Sequence, residues 1–86
     1  VRMPHVPESV APDSDLFELL RSRRKEIAQR EGMPPYVIFH DSTLKEMSTR
    51  MPKDQEAMLS ISGVGENKLK KYGKQFLEVI REYLHI

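Results

Sequence analysis

The chain has 86 residues, of which 38% are hydrophobic and 31% are charged, and it contains no cysteine. A chain of this length forms one small domain, so we do not expect a nucleotide-binding catalytic domain or a large substrate pocket. No apolar run approaches the roughly 18 residues that span a bilayer, which predicts a soluble protein of the cell interior with no membrane segment. The first residue is Val1 rather than Met, which favours a domain excised from a longer protein.

The net charge of +1 conceals two concentrations of positive charge. The first basic segment, residues 21–25, has four cations, and the second basic segment, residues 68–74, has four more, with no acid in either. These twelve residues carry +8, while the other 74 hold six basic and thirteen acidic residues and carry −7. If both segments share one face they form an electrostatic footprint for a polyanion; otherwise each is a solvated helix surface.

The first predicted element is a long helix. Three prolines within residues 1–13 predict a linker or tail there, which leaves residues 14–86 as the folded domain. Asp13, Ser14 and Asp15 are candidate N-caps for a helix over about 16–31, and Gly32 ends it. Its buried face is predicted from apolar residues at helical spacing, namely Leu16, Leu20, Ile27 and Ala28, with Phe17 beside them.

Three shorter elements are predicted next. The run 36–39 follows two prolines and has strand propensity, but no partner strand exists in the chain, so we interpret it as a buried helical turn. Asp41 or Ser42 is predicted to cap another helix, which Pro52 ends. A short helix over about 54–60 is expected to place Met58 and Leu59 inward.

The C-terminal part is predicted to be helical on both sides of a glycine turn. Gly63 and Gly65 form a tight turn, because glycine reaches backbone angles that other residues avoid. A helix follows over 66–72, Gly73 breaks or bends it, and a last helix covers 74–85. Its inward stripe is Phe76, Ile80, Tyr83 and Leu84. The fold class is therefore all-α, a compact bundle of five or six short helices.

The glycine turn between two short helices resembles a helix-hairpin-helix, whose backbone amides approach a nucleic-acid phosphate. The alternative is a connection in which the glycines only allow close packing. Glu66 follows the turn directly and would repel a phosphate docked there.

Taken in chain order, these blocks resemble an HRDC domain, the helicase and RNase D C-terminal module. The resemblance covers about residues 15–85 and includes the first helix with its basic segment, the PPYVIF run of residues 34–39, and the glycine turn. The PPYVIF run followed by Asp41 is most similar to the bacterial RecQ helicase branch.

The resemblance implies a non-catalytic accessory domain in a RecQ-type ATP-dependent DNA helicase of repair and recombination. Such a domain binds single-stranded or forked DNA weakly and tunes substrate choice, as a monomer in the bacterial cytosol close to the nucleoid. The alternative is a protein-interaction module that docks on the helicase core or on a partner through its acidic surface.

The resemblance also indicates candidate DNA-binding residues. Tyr36 is the aromatic of the PPY block and is expected to stack on a base, the alternative being a partly buried packing role. Arg21, Arg24 and Lys25 are the expected phosphate contacts, with Lys68 and Lys74 as further candidates. The chain has no GxxxxGK[ST] motif and its histidines show no ligand spacing, so we expect no cofactor and no metal.

Overall fold

The structure, a computed structural model, describes residues 14–86, and every regular element in that range is helical. The helices are α1 (Ser14–Glu31), α2 (Pro35–Ile38), α3 (Asp41–Arg50), α4 (Gln55–Leu59), α5 (Glu66–Lys68) and α6 (Lys74–Leu84), and a π-helical turn (Leu69–Gly73) joins the last two. The predicted all-α bundle is confirmed. The linker predicted for residues 1–13 and the candidate cap Asp13 lie outside the described residues.

Helix α1 is the longest element, and it packs against α2, α3 and α6. Its four predicted core residues, Leu16, Leu20, Ile27 and Ala28, are all buried, and Phe17 is packed against the core. Gly32 ends the helix in the left-handed region at φ +69°, as its residue type predicts. None of the helices formed by residues 14–86 is long and apolar enough to cross a membrane.

Phe39 joins the N-terminal helices to the last helix through contacts in the core. Its ring meets Phe76 edge to face, with centroids 5.0 Å apart and planes at 84°, and it meets Tyr72 in a similar way at 6.3 Å. Edge-to-face pairs of this kind stabilise a core beyond the area that they bury. The Tyr72 hydroxyl also donates a hydrogen bond to the Glu31 carboxylate at 3.1 Å. The segment after α2 is therefore fixed to the last helix.

The turn predicted over residues 36–39 is helical, but its predicted burial is only half right. Ile38 and Phe39 are buried, whereas Tyr36 is 61% exposed and Val37 is 41% exposed. The turn packs on α1, so only the side that faces α1 is covered, and Tyr36 and Val37 are on the other side.

The predicted cap of α3 is wrong. His40, not Asp41 or Ser42, is the N-cap residue, and its side chain makes no capping hydrogen bond. Asp41 is the first residue of the helix, where its carboxylate pairs with Arg24 instead. The other end agrees with the prediction, since Met51 adopts a left-handed conformation and the helix stops before Pro52.

Two further predictions in the C-terminal half need correction. Leu59 was predicted to face inward but is 38% exposed, because the five-residue α4 turns only Met58 fully inward. Of the two outcomes predicted at Gly73, a break or a bend, the break is wrong: the residue is buried and has helical angles, and the chain continues through the π turn from Glu66 to Leu84. A Cβ at this glycine would meet the Leu69 side chain, so the residue allows close packing within the π turn.

The inward stripe of α6 is partly as predicted. Phe76 and Ile80 are fully buried, but Leu77 and Val79 are buried too. Tyr83 and Leu84 are only partly covered. The buried face is therefore wider than predicted and centred nearer to the start of the helix.

Candidate nucleic-acid interface

Tyr36 stands on a rigid and exposed corner of the domain. It is the second residue of α2, after Pro35 at the first helical position and Pro34 in an extended conformation. The fixed φ of proline predisposes the chain to enter a helix at this point. The phenol ring borders an open pocket of about 530 Å³, whose lining residues are Arg24, Pro35, Tyr36, His40, Asp41 and Ser42.

Arg24 fixes this corner to α1 from below. Its Nη1 donates a hydrogen bond to the Phe39 carbonyl at 2.9 Å, and its Nη2 lies 2.8 Å from Asp41 Oδ1. The side chain is only 9% exposed, and among residues 14–86 its buried Nε has no hydrogen-bond partner. We call these contacts the Arg24 bracket. Both Nη atoms of the guanidinium are occupied, one by the Phe39 carbonyl and the other by the Asp41 carboxylate. Arg24 therefore holds the segment between α2 and α3 against α1.

The bracket also affects the acid that it holds. A hydrogen bond from Arg24, together with its positive charge, holds the pKa of the Asp41 carboxyl below its usual range. Burial opposes this by raising the pKa, with a smaller effect than that of Arg24, and the charges of Arg21 and Lys45 lower the pKa slightly further. Asp41 therefore stays ionised and paired at neutral pH.

A second ring lies beside Tyr36. The centroids of the Tyr36 and His40 rings are 6.3 Å apart, and their planes are 22° from parallel. His40 is exposed, like Tyr36. The sequence prediction passed over this residue, since it assessed the histidines only as metal ligands.

Arg21 and Lys25 lie on the same side of the molecule as Tyr36. They border a pocket of about 440 Å³ that shares Arg24 and Pro35 with the Tyr36 pocket. Arg21 pairs with Glu18 at 3.2 Å, but both side chains are exposed, and such pairs contribute little. Lys25 has no ion-pair partner among the described residues. We call the exposed side chains here, Arg21, Lys25, Tyr36 and His40, the Tyr36 surface.

Arg23 belongs to a different side of α1. Its guanidinium donates a hydrogen bond to the Gln75 carbonyl at 3.1 Å and lies 3.6 Å from the Glu78 carboxylate, both on α6. A third contact joins it to Glu26 at 3.4 Å. One of the four cations of the first basic segment therefore holds two helices together.

The second basic segment contributes no residue to the two pockets that border the Tyr36 surface. Lys74 and Lys70 flank a groove of about 490 Å³ that also contains Leu59 and Leu69, and that groove shares no lining residue with the two pockets above. Lys68 lies with its Nζ 5.7 Å from the centre of the Phe39 ring, a distance typical of a cation–π contact. The structure thus brings Arg21, Lys25 and Tyr36 together and leaves Lys74 elsewhere.

The glycine turn has a packing role. Gly63 has φ +91°, which favours glycine, and a Cβ there would clash with the Thr43 side chain of α3. A Cβ on Gly65 would meet nothing. The close approach of Gly63 to α3 supports the packing interpretation of this turn. Within residues 14–86, no three histidine, aspartate or glutamate side chains come together as metal ligands.

Comparisons with known proteins match the sequence and the fold of this chain to one family. The sequence profile of the HRDC domain matches residues 13–80. The ATP-dependent DNA helicase RecQ of Bacillus subtilis is 51% identical over 87% of this chain, and that of Haemophilus influenzae is 48% identical over 83% of it. The chain spans only 13% and 12% of their lengths. A solved structure described as D. radiodurans RecQ HRDC domain 3 has a TM-score of 0.80 at 31% identity, covering 83% of this chain and 93% of that one.

Proposed function

The chain belongs to the HRDC domain family, and from this premise we propose that it is the DNA-binding accessory domain of a RecQ-type ATP-dependent DNA helicase. It binds single-stranded or partly single-stranded DNA weakly and thereby tunes which substrates the helicase unwinds. The segment itself is non-catalytic. We place the parent helicase in the bacterial cytosol, at the chromosome.

The observation that carries this proposal is the exposure of Tyr36 on a fixed corner. A tyrosine that is 61% exposed buries little apolar surface, so packing does not explain its position. Its backbone is held by two prolines and by the Arg24 bracket, so the ring is preorganised. Stacking one base on such a ring contributes roughly 1–3 kcal/mol, and every base has a face that can stack.

Phosphate contacts are the second part of the proposal. Arg21 and Lys25 lie beside the tyrosine, and the exposed Glu18 pair leaves Arg21 free to exchange its partner for a phosphate. Arg24 was predicted as a phosphate contact, but we now propose that it positions Tyr36, because its guanidinium is buried and both of its Nη atoms already have partners. Lys68 and Lys74 remain further candidates, outside the Tyr36 surface.

A weak interaction is expected from this arrangement. The Tyr36 pocket is open, and of the two cations that border the neighbouring pocket, Arg21 is paired with Glu18. For single strands, log affinity falls with log salt by about 0.7 for each phosphate neutralised, so two contacts predict a slope of roughly −1.4. Binding should therefore be measurable at low salt and fade as the salt concentration rises.

The test is a titration of labelled single-stranded and duplex DNA with the domain, at low and moderate salt, for the parent and for Tyr36→Ala. The alanine variant should lose roughly 1–3 kcal/mol of single-strand affinity and keep its duplex affinity and salt slope, because only an unpaired base offers a free face. Tyr36→Phe should retain most of the binding, since the ring carries the contact.

Val37→Ala is the matched control, because Val37 is exposed on the same turn and has no ring. It should bind as the parent does. A folded Tyr36→Ala variant with unchanged single-strand affinity would eliminate the stacking role. If the parent itself shows no binding at low salt, the protein-interaction alternative replaces the DNA-binding proposal.

A further inference from the structure

His40 occupies a position where a helix normally takes a capping residue. Its carbonyl accepts hydrogen bonds from the Thr43 and Leu44 amides, both at 3.1 Å, but its side chain caps nothing. Ser, Thr, Asp or Asn at an N-cap accepts a backbone hydrogen bond and stabilises the helix. Helix α4 shows the usual arrangement, in which Asp54 Oδ1 accepts from the Ala57 amide at 2.8 Å. At the start of α3 the chain forgoes this stabilisation.

The imidazole is placed against Tyr36 instead. Helix α2 ends at Ile38, and the extended conformation of Phe39 carries the chain back so that residue 40 lies beside residue 36. The two rings are 22° from parallel and border the same open pocket. Within residues 14–86 the imidazole makes no hydrogen bond, and Tyr36 is its one ring contact. A departure from local preference of this kind is typical of a functional position.

The Arg24 bracket holds both rings in place. It binds the carbonyl of Phe39 and the carboxylate of Asp41, the residues on either side of His40. The two charged residues that line the same pocket as the imidazole, Arg24 and Asp41, are paired with one another. The pocket beside the two rings therefore offers ring faces more than it offers charge.

We propose that His40 is a second stacking residue, which together with Tyr36 forms a two-ring surface for two successive bases of a single strand. This inference rests on the proposed DNA binding at Tyr36. Because the rings are nearly parallel, a base stacked on one ring is almost parallel to the other, and successive bases can each use one ring. The ligand class is an unpaired strand with at least two adjacent unstacked bases.

The test uses His40→Asn, a variant that separates stability from binding. Asparagine is a favoured N-cap, so it should raise the melting temperature by a few degrees. It has no ring, so it should lower the affinity for labelled oligothymidine about fivefold, the lower end of the range for one base on an aromatic ring. A purely structural role for His40 would not change stability and affinity in opposite directions.

Two further variants complete the test. His40→Phe keeps a ring and should bind like the parent. Ser42 borders the same pocket but has no ring, so Ser42→Ala should leave the affinity for oligothymidine unchanged. A His40→Asn variant that binds as tightly as the parent, while Tyr36→Ala is weakened, would overturn the role of His40 and leave the proposed function intact. An absence of binding by the parent would mean that the proposed function itself has failed.

Discussion

The first and the second basic segments each contribute four cations, yet they differ in how many of those cations are in ion pairs. In the first segment all three arginines are in ion pairs, with Glu18, with Glu26 and Glu78, or with Asp41, and only Lys25 has none. In the second segment none of the four lysines is in an ion pair, within the part of the chain that the structure describes.

The difference follows from the chemistry of the two cations. Three of the four cations in the first segment are arginines, and a guanidinium presents several donors in a planar fork that can bind two acceptors at once. Arg23 and Arg24 both use this property to join helices. All four in the second segment are lysines, whose compact charge stays hydrated at the end of a flexible stem. Equal charge in the sequence therefore serves different purposes in the fold.

Among the variants that test this difference between the segments, Arg24→Ala should have the largest effect. The variant leaves the buried Phe39 carbonyl without its donor and removes the packing of the side chain, so we expect a loss of about 3 kcal/mol in the free energy of unfolding. Urea denaturation measures it. Lys25→Ala is the matched control, exposed and without a partner, and should change stability by less than about 0.5 kcal/mol.

Arg24→Lys sharpens the same prediction. A lysine keeps the charge but cannot contact both the carbonyl and the carboxylate in the geometry of the fork, so its stability should lie between those of the parent and the alanine variant. If Arg24→Ala is as stable as the parent, the Arg24 bracket does not stabilise the segment around Tyr36.

The next prediction compares the two segments as sources of phosphate contacts. Arg21→Gln combined with Lys25→Gln should flatten the salt dependence of single-strand binding by roughly 1.4, two contacts being lost. Lys70→Gln combined with Lys71→Gln removes the same charge from the second basic segment, at positions that are not candidate contacts, and should change the slope little. Equal losses from the two pairs would indicate general attraction rather than a defined site.

The smallest expected effect concerns pH. Because the pKa of Asp41 is lowered in the folded state, its pairing stabilises the domain above the ordinary aspartate pKa of about 3.9, and this stabilisation is lost as the pH falls below that value. Asp41→Asn should therefore lower the melting temperature at pH 7 but not at pH 2 to 3. A constant difference across that range would show that the ion pair is not responsible.

Much of the fold could be predicted because several residues have few structural alternatives. Gly32 and Pro52 end helices, the spacing of Leu16, Leu20 and Ile27 allows one buried face, and Tyr36 was identified through the PPY block. These signals are local, or belong to a resemblance that covers most of the chain.

The rest depends on contacts between distant parts of the chain. Arg24 looks like any other cation of its segment, and only folding places Phe39 and Asp41 within reach of its guanidinium. The exposure of Leu59 depends on how a five-residue helix is rotated. His40 did carry a local signal, since it is not a favoured N-cap residue and stands at a helix start, but the prediction placed the cap one or two residues too late, at Asp41 or Ser42.

The π turn at Leu69–Gly73 gives the last part of the chain room to lose one residue. A π turn holds one residue more than an α turn does, so the loss of one residue there would leave an ordinary helix. Phe76 and Ile80 would then keep nearly the same orientation toward the core that they fill. The same deletion in the middle of α1 would rotate the residues after it by about 100°, because α1 is a regular α-helix with no extra residue to lose. A single-residue deletion should therefore be tolerated better in the π turn than in α1.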